Sequence, residues 1–179
     1  MKEGLKKALA ERQKRHIIDA NRVPAAVLVP LFYKDGEYYL LFTKRTDTVK
    51  NHRGQISFPG GACEAGDGAP VNTALRECAE EIGLGVGSVE VLGELDDVVT
   101  VTSHFVITPF VAFISSLEET RVEPTEVEET IEIPVSALLN CNCVSEEVNI
   151  DGQMTTSYSY DYQGKVIWGA TARILNQFL

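Results

Sequence analysis

The chain has 179 residues, 44% of them hydrophobic, and a formal net charge of -10 from 16 basic and 26 acidic side chains. That describes one ordinary globular domain with a substantial core, and the acidic balance excludes the basic footprint that nonspecific nucleic-acid binding requires. No apolar run approaches the roughly 18 residues of a membrane span, and the charged N-terminal segment lacks a signal-peptide core. A cytoplasmic protein with no nucleic-acid or membrane partner is expected.

Residues Lys2 to about Asp19 place Leu5, Leu9 and Ile17 at near-helical spacing, which predicts a helical extension over residues 1–22 lying on a single domain of residues 23–179. Ala25 to Phe32, AAVLVPLF, reads as a strand buried on both faces, and Lys34-Asp35-Gly36-Glu37 turns it back into a second strand, Tyr38 to Thr43. The connection KRTDTVKNHR, Lys44 to Arg53, is a local concentration of positive charge in an acidic chain. Its Lys44, Arg45, Lys50, His52 and Arg53 are candidates for holding an outlying phosphate of a nucleotide, against the alternative of a solvated loop.

After a short strand, Gln55 to Phe58, comes the stretch GGACEAGDGAPVNTALRECAEEIGL, residues Gly60 to Leu84. Pro70 suits a first helical turn and Gly83 the position past a helix end, so a helix is predicted over Pro70 to Ile82. At helical spacing Glu77, Glu80 and Glu81 fall within an arc of about 100°, opposite Leu75, Cys78, Ala79 and Ile82. Three neighbouring carboxylates repel one another unless water screens them or a cation joins them, and oxygen-only ligands favour Mg²⁺ or Mn²⁺. Gly60 and Gly61 let backbone approach a ligand closely, and the Gly61 carbonyl is a candidate further ligand.

Further along, Val89 to Leu95 and Phe105 to Ile114 read as strands, with His104 in a loop between them, where a lone histidine is more often structural than catalytic. The acidic segment Leu117 to Glu129 precedes a strand, Thr130 to Pro134, and a short helix, Val135 to Leu139. Met154 to Tyr162, Gln163-Gly164 and Lys165 to Trp168 form a second hairpin, with Trp168 read as a core anchor, and Gly169 to Leu179 closes the chain as a helix. Cys63, Cys78, Cys141 and Cys143 lack zinc-site spacing and read as free thiols.

The RECAEEIGL run with its upstream glycines resembles the Nudix box, G-x5-E-x7-R-E-U-x-E-E-x-G-U with U apolar, here spanning about residues 60–84. From Gly61 five residues lead to Asp67, which replaces the usual Glu, and eight rather than seven separate Asp67 from Arg76. That insertion, the lead-in LLFTKRTDTVKNHRGQISFPGGACEAGD and the tail IWGATARIL are similar to the coenzyme A pyrophosphatase branch, with mild departures at Thr46, Lys50, Ile56 and Glu64.

The resemblance implies an α/β fold, the Nudix-type α/β/α sandwich with a mixed β-sheet, and a hydrolase acting on phosphoanhydride bonds. It implies Glu77, Glu80, Glu81 and Gly61 as ligands of Mg²⁺ or Mn²⁺, Glu80 and Glu81 in catalysis, Arg76 orienting the carboxylates, and one of Glu126, Glu128 and Glu129 of the acidic loop as a base or a further ligand. The substrate it suggests is coenzyme A or an acyl-coenzyme A, cut to (acyl-)4'-phosphopantetheine and adenosine 3',5'-bisphosphate. ADP-ribose, NADH and nucleoside triphosphates stay open as substrates, as do a non-catalytic nucleotide-binding module and a homodimer.

Overall fold

The computed structural model describes residues 2–46, 54–118, 120–150 and 152–179. Lys50, His52 and Arg53 lie outside the described residues. The central sheet is mixed. β1 (Val23–Lys34) runs parallel to β7 (Phe105–Ile114) and antiparallel to β2 (Glu37–Arg45), and β5 (Val89–Glu94) borders β7 on its other side. The β1–β2 turn takes positive φ at Asp35 and Gly36, as tight hairpins demand.

β1 changes partner along its far edge. Leu31 to Lys34 pair with β2, whereas Ala25 to Val27 pair with β4 (Gly60–Ala62), and Leu28 N–H donates to Pro59 O at 2.9 Å between the two. β3 (Ile56–Ser57) and β8 (Val127–Pro134) pair with β2, and β6 (Val98–Val99) with β7. The glycine loop is thereby a strand of the main sheet.

Alternation along the central strands supplies two cores. Ala26, Leu28 and Phe32 of β1, Leu41 of β2 and Phe110, Ala112 and Ile114 of β7 pack against Ala74, Cys78 and Ile82 of α2 (Pro70–Ile82). The opposite faces, with Val29, Leu31, Leu40, Phe42 and Val111, pack against Leu9 of α1 (Lys2–Glu11), Leu138 of α3 (Val135–Asn140) and Leu175 of α4 (Gly169–Phe178). Helices therefore cover both sides of a mixed sheet, the sandwich expected from the sequence.

A second sheet joins β9 (Asn142–Ile150), β10 (Gln153–Tyr162) and β11 (Lys165–Trp168). β9 has no counterpart in the sequence reading, because its side chains are mostly exposed and carry no hydrophobic alternation.

The N-terminal helix expected to reach about Asp19 stops at Glu11. Beyond it the strap takes its hydrogen bonds elsewhere: Arg15 N–H donates to Asp96 Oδ1 at 3.0 Å, Ile17 N–H to Asp97 Oδ2 at 2.8 Å, and Asp97 N–H to Arg15 O at 3.0 Å. Two acidic side chains at the end of β5 thus compete successfully with a further helical turn. Leu9 is buried in the core, so the extension is docked. Among the described residues no helix is long and apolar enough to cross a membrane.

Candidate active site

Helix α2 starts with Pro70 at its first turn and ends at Gly83, whose φ of 68° is the left-handed conformation that a C-terminal cap requires. Its acidic side is only partly open to solvent: Glu80 is exposed, Glu77 is half-buried and Glu81 is buried. Glu81 is only 4% exposed, pressed against the glycine strand, where Gly60 N–H donates to its Oε2 at 3.3 Å. The Glu77 carboxylate lies against Gly61, occupying space that any β-carbon there would fill.

Arg76 ties these elements together. Its Nε donates to Asp67 Oδ1 at 2.9 Å, Nη2 to Asp67 Oδ2 at 3.1 Å and to Ala62 O at 3.3 Å, and Nη1 to Glu77 Oε1 and Glu80 Oε2, each at 2.9 Å. Asp67 also accepts from Thr73 Oγ1 at 2.7 Å and from Glu64 N–H at 2.9 Å. Arg76 first, then those two donors, hold the Asp67 carboxyl well below the usual carboxylate range. The loop with the additional residue after Asp67 is thereby closed onto the helix by charge-assisted hydrogen bonds.

A cavity of about 560 Å³ opens beside this cluster. Glu77, Glu81, Glu126, Arg45, Gly60 and Gly61 line it, with apolar walls from Val27, Phe58, Phe105, Ile107 and Ile174, and Trp168. Burial pushes the Glu81 carboxyl up to about 7, the Arg45 charge and the Gly60 N–H oppose the rise, and Glu77 and Glu126 add to it. Glu77 is also raised, again chiefly by burial. Desolvated carboxylates repelling one another are stabilised by a cation.

Among the described residues no three His, Cys, Asp or Glu side chains converge as a preformed metal cage. Arg76 engages Glu80, whose side chain is 59% exposed and lies outside the cavity lining. Glu77, Glu81 and Gly61 line the cavity itself, oxygen donors of the kind that suit Mg²⁺, which commonly takes one or two carboxylates and completes its shell with phosphate oxygens and water.

The acidic loop reaches the site through its backbone: Arg121 N–H donates to Ile82 O and Glu123 N–H to Glu81 O, both at 2.8 Å. This brings Glu126 to the cavity. Glu129 is placed elsewhere, on β8, 3.5 Å from Lys165 and 3.9 Å from Lys44. Lys44 pairs with Glu128 at 2.8 Å and lines a separate groove of about 340 Å³. A register shift between Lys44 and Arg45 marks where these neighbours part, and only Arg45 lines the main cavity. His104 is exposed and outside the lining; its carbonyl accepts from Val23 N–H at 2.9 Å.

Trp168 corrects the sequence reading, which placed it in the core. It is 49% exposed and lines both the cavity and the neighbouring groove. The cause is register: Tyr160 pairs with Ile167 and both are buried, so the next residue points to the other face. The Thr/Ser-rich loop that carries His104 does reach the cavity, through Thr100–Ser103, whereas Phe105, Ile107 and Ile174 are lining residues that the sequence reading did not connect with a site.

The NUDIX domain family matches residues 22–149. The chain is 35% identical over 164 residues to an uncharacterized Nudix hydrolase, NudL, of Photorhabdus laumondii, covering 91% of this chain and 86% of that one. It is 38% identical over 134 residues to Nudix hydrolase 3 of Caenorhabditis elegans, covering 73% of this chain and 55% of that one. In fold it is similar to a MutT/nudix family protein of Enterococcus faecalis, with a TM-score of 0.61 at 14% identity over 98% of this chain and 66% of that one. The NUDIX domain of Shewanella oneidensis NrtR, solved with ADP ribose, has a TM-score of 0.53 at 19% identity over 74% and 84% of the two chains. On the domain match and the 35% identity along most of its length, this chain belongs to the Nudix hydrolase family.

Proposed function

We propose that this enzyme hydrolyses the diphosphate of coenzyme A or an acyl-coenzyme A, releasing adenosine 3',5'-bisphosphate and (acyl-)4'-phosphopantetheine, with Mg²⁺ or Mn²⁺ as cofactor. The observation that carries the reading is one cavity that joins Glu77, Glu81 and Glu126 to extended apolar walls and an exposed tryptophan. Such a hollow suits a diphosphate esterified to a long, partly apolar arm. The lead-in, the residue added after Asp67 and the IWGATA tail support the same choice by their resemblance to coenzyme A pyrophosphatases.

Nudix enzymes work with divalent metals, and here Glu77 and Glu81, with the Gly61 carbonyl, would hold the ion. Bound there, it would neutralise phosphate charge and lower the pKa of a coordinated water. Arg76 keeps Glu77 in place from behind and binds Asp67 across the loop, so its work is orientation rather than contact with substrate. Among the described residues Glu126 is the carboxylate outside α2 that lines the cavity, which makes it the candidate to take the proton of the attacking water. The apolar walls exclude bulk water around the reacting bond.

The test is release of adenosine 3',5'-bisphosphate from coenzyme A, measured beside ADP-ribose, NADH and nucleoside triphosphates with each metal. A preference for any of the latter would replace the coenzyme A assignment.

A further inference from the structure

Arg45 ends β2 with its backbone held on both sides: its N–H donates to Gln55 O at 3.0 Å and its carbonyl accepts from Gly54 N–H at 3.1 Å. The side chain enters the main cavity, where it is the only Lys or Arg among the described lining residues. Its Nε is buried without a hydrogen-bond partner among the described residues. Buried donors are nearly always satisfied, and an orphan at the wall of a hollow is a natural mark of a missing acceptor. Glu77, Glu81 and Glu126 line the same hollow. The neighbouring Lys44 faces the separate groove, engaged by Glu128 and Glu129.

We propose that Arg45 grips non-bridging oxygens of the reacting diphosphate itself, between the α2 glutamates and Glu126, rather than an outlying phosphate of the nucleotide. The guanidinium fork matches phosphate oxygens, and a planar donor fixed at a strand end positions them without rearrangement. The proposal rests on diphosphate hydrolysis in this cavity and departs from the sequence expectation that Lys44 and Arg45 share one phosphate.

Wild-type, R45A and R45K proteins are compared on coenzyme A, 3'-dephospho-coenzyme A and ADP-ribose with Mg²⁺. Binding of methylenediphosphonate, which cannot be hydrolysed, is measured by calorimetry with Mg²⁺ present. R45A is expected to lower kcat/KM by about a hundredfold or more on every substrate the wild type cleaves, equally for coenzyme A and its dephospho form. It also weakens methylenediphosphonate binding, and R45K recovers part of both.

A loss confined to coenzyme A overturns the proposal by moving Arg45 to the 3'-phosphate, and so does unchanged methylenediphosphonate binding. If both variants lose their cooperative thermal transition, Arg45 is a structural residue and the proposal is wrong. A wild type that ignores coenzyme A but cleaves ADP-ribose refutes the substrate assignment alone, since the Arg45 comparison then runs on ADP-ribose.

Discussion

A β-carbon at Gly61 would fall 2.5 Å from the Glu77 carboxyl carbon, so the absence of a side chain at one residue sets where the other's carboxylate rests. The obstacle is the free end of a flexible side chain, which a methyl group can push aside. Gly61→Ala is therefore expected to cost less than about 1 kcal/mol of stability while lowering kcat/KM roughly tenfold to a hundredfold. Thermal unfolding and turnover measured together check this. Gly60→Ala should behave differently, because its β-carbon would meet Ala26 O at 2.3 Å with φ at 152°, and soluble yield should collapse.

Glu81→Gln should trade activity for stability. Burial pushes this carboxyl up to about 7, so in the range from its unfolded value to about 7 the unfolded chain binds fewer protons, and stability falls as pH rises. Without metal, the Gln variant should be more stable than wild type at pH 8 by on the order of 3 kcal/mol at most, and no more stable at pH 4. Its turnover should drop about a thousandfold. Mg²⁺ should raise the wild-type Tm and leave the variant's almost unchanged. Equal Tm values at pH 8 without metal would show that Glu81 is not strained.

Asp67→Asn keeps the shape of the loop anchor and removes its charge. The carboxyl is held below its ordinary value by Arg76, so it contributes stability above the unfolded pKa and loses it as pH falls toward the folded one. Wild type should exceed the variant in Tm at neutral pH, with the gap closing in acid. Turnover should fall roughly tenfold to a hundredfold through Glu77 and Glu80, which share the same guanidinium. A gap that widens in acid would contradict the assignment.

Gly93→Ala tests the docking of α1. A β-carbon at residue 93 would meet Leu9 Cβ at 2.7 Å, and Leu9 is the buried residue of that helix. Trypsin should then cut faster at basic residues of the strap between Arg12 and Arg22, with activity close to wild type.

The sequence revealed α2 well because every local signal agreed: Pro70, Gly83 and the 3.6-residue alternation all mark one helix, and the structure has it over the same residues. Long, doubly buried strands such as Phe105–Ile114 were legible for the same reason. The strap after Glu11 was not, since its fate depends on Asp96 and Asp97, about eighty positions away. Trp168 could have been placed. A two-residue turn at Gln163-Gly164 pairs Tyr162 with Lys165, which sets Ile167 opposite Tyr160 and turns the tryptophan outward. The parting of Lys44 from Arg45 follows from a register shift that no residue type announces.

Because β1 passes its far edge from β2 to β4, the floor beneath the glutamates inherits the rigidity of the central sheet. The amide proton of Gly61, paired with Ala26 inside the sheet, should be among the slowest to exchange, while those of the exposed Val101 and Thr102 wall should exchange early. Breathing of the hollow is therefore expected on that side, with substrate entry and product departure past the Thr100–Ser103 wall while Glu77 and Glu81 stay seated against the glycine strand.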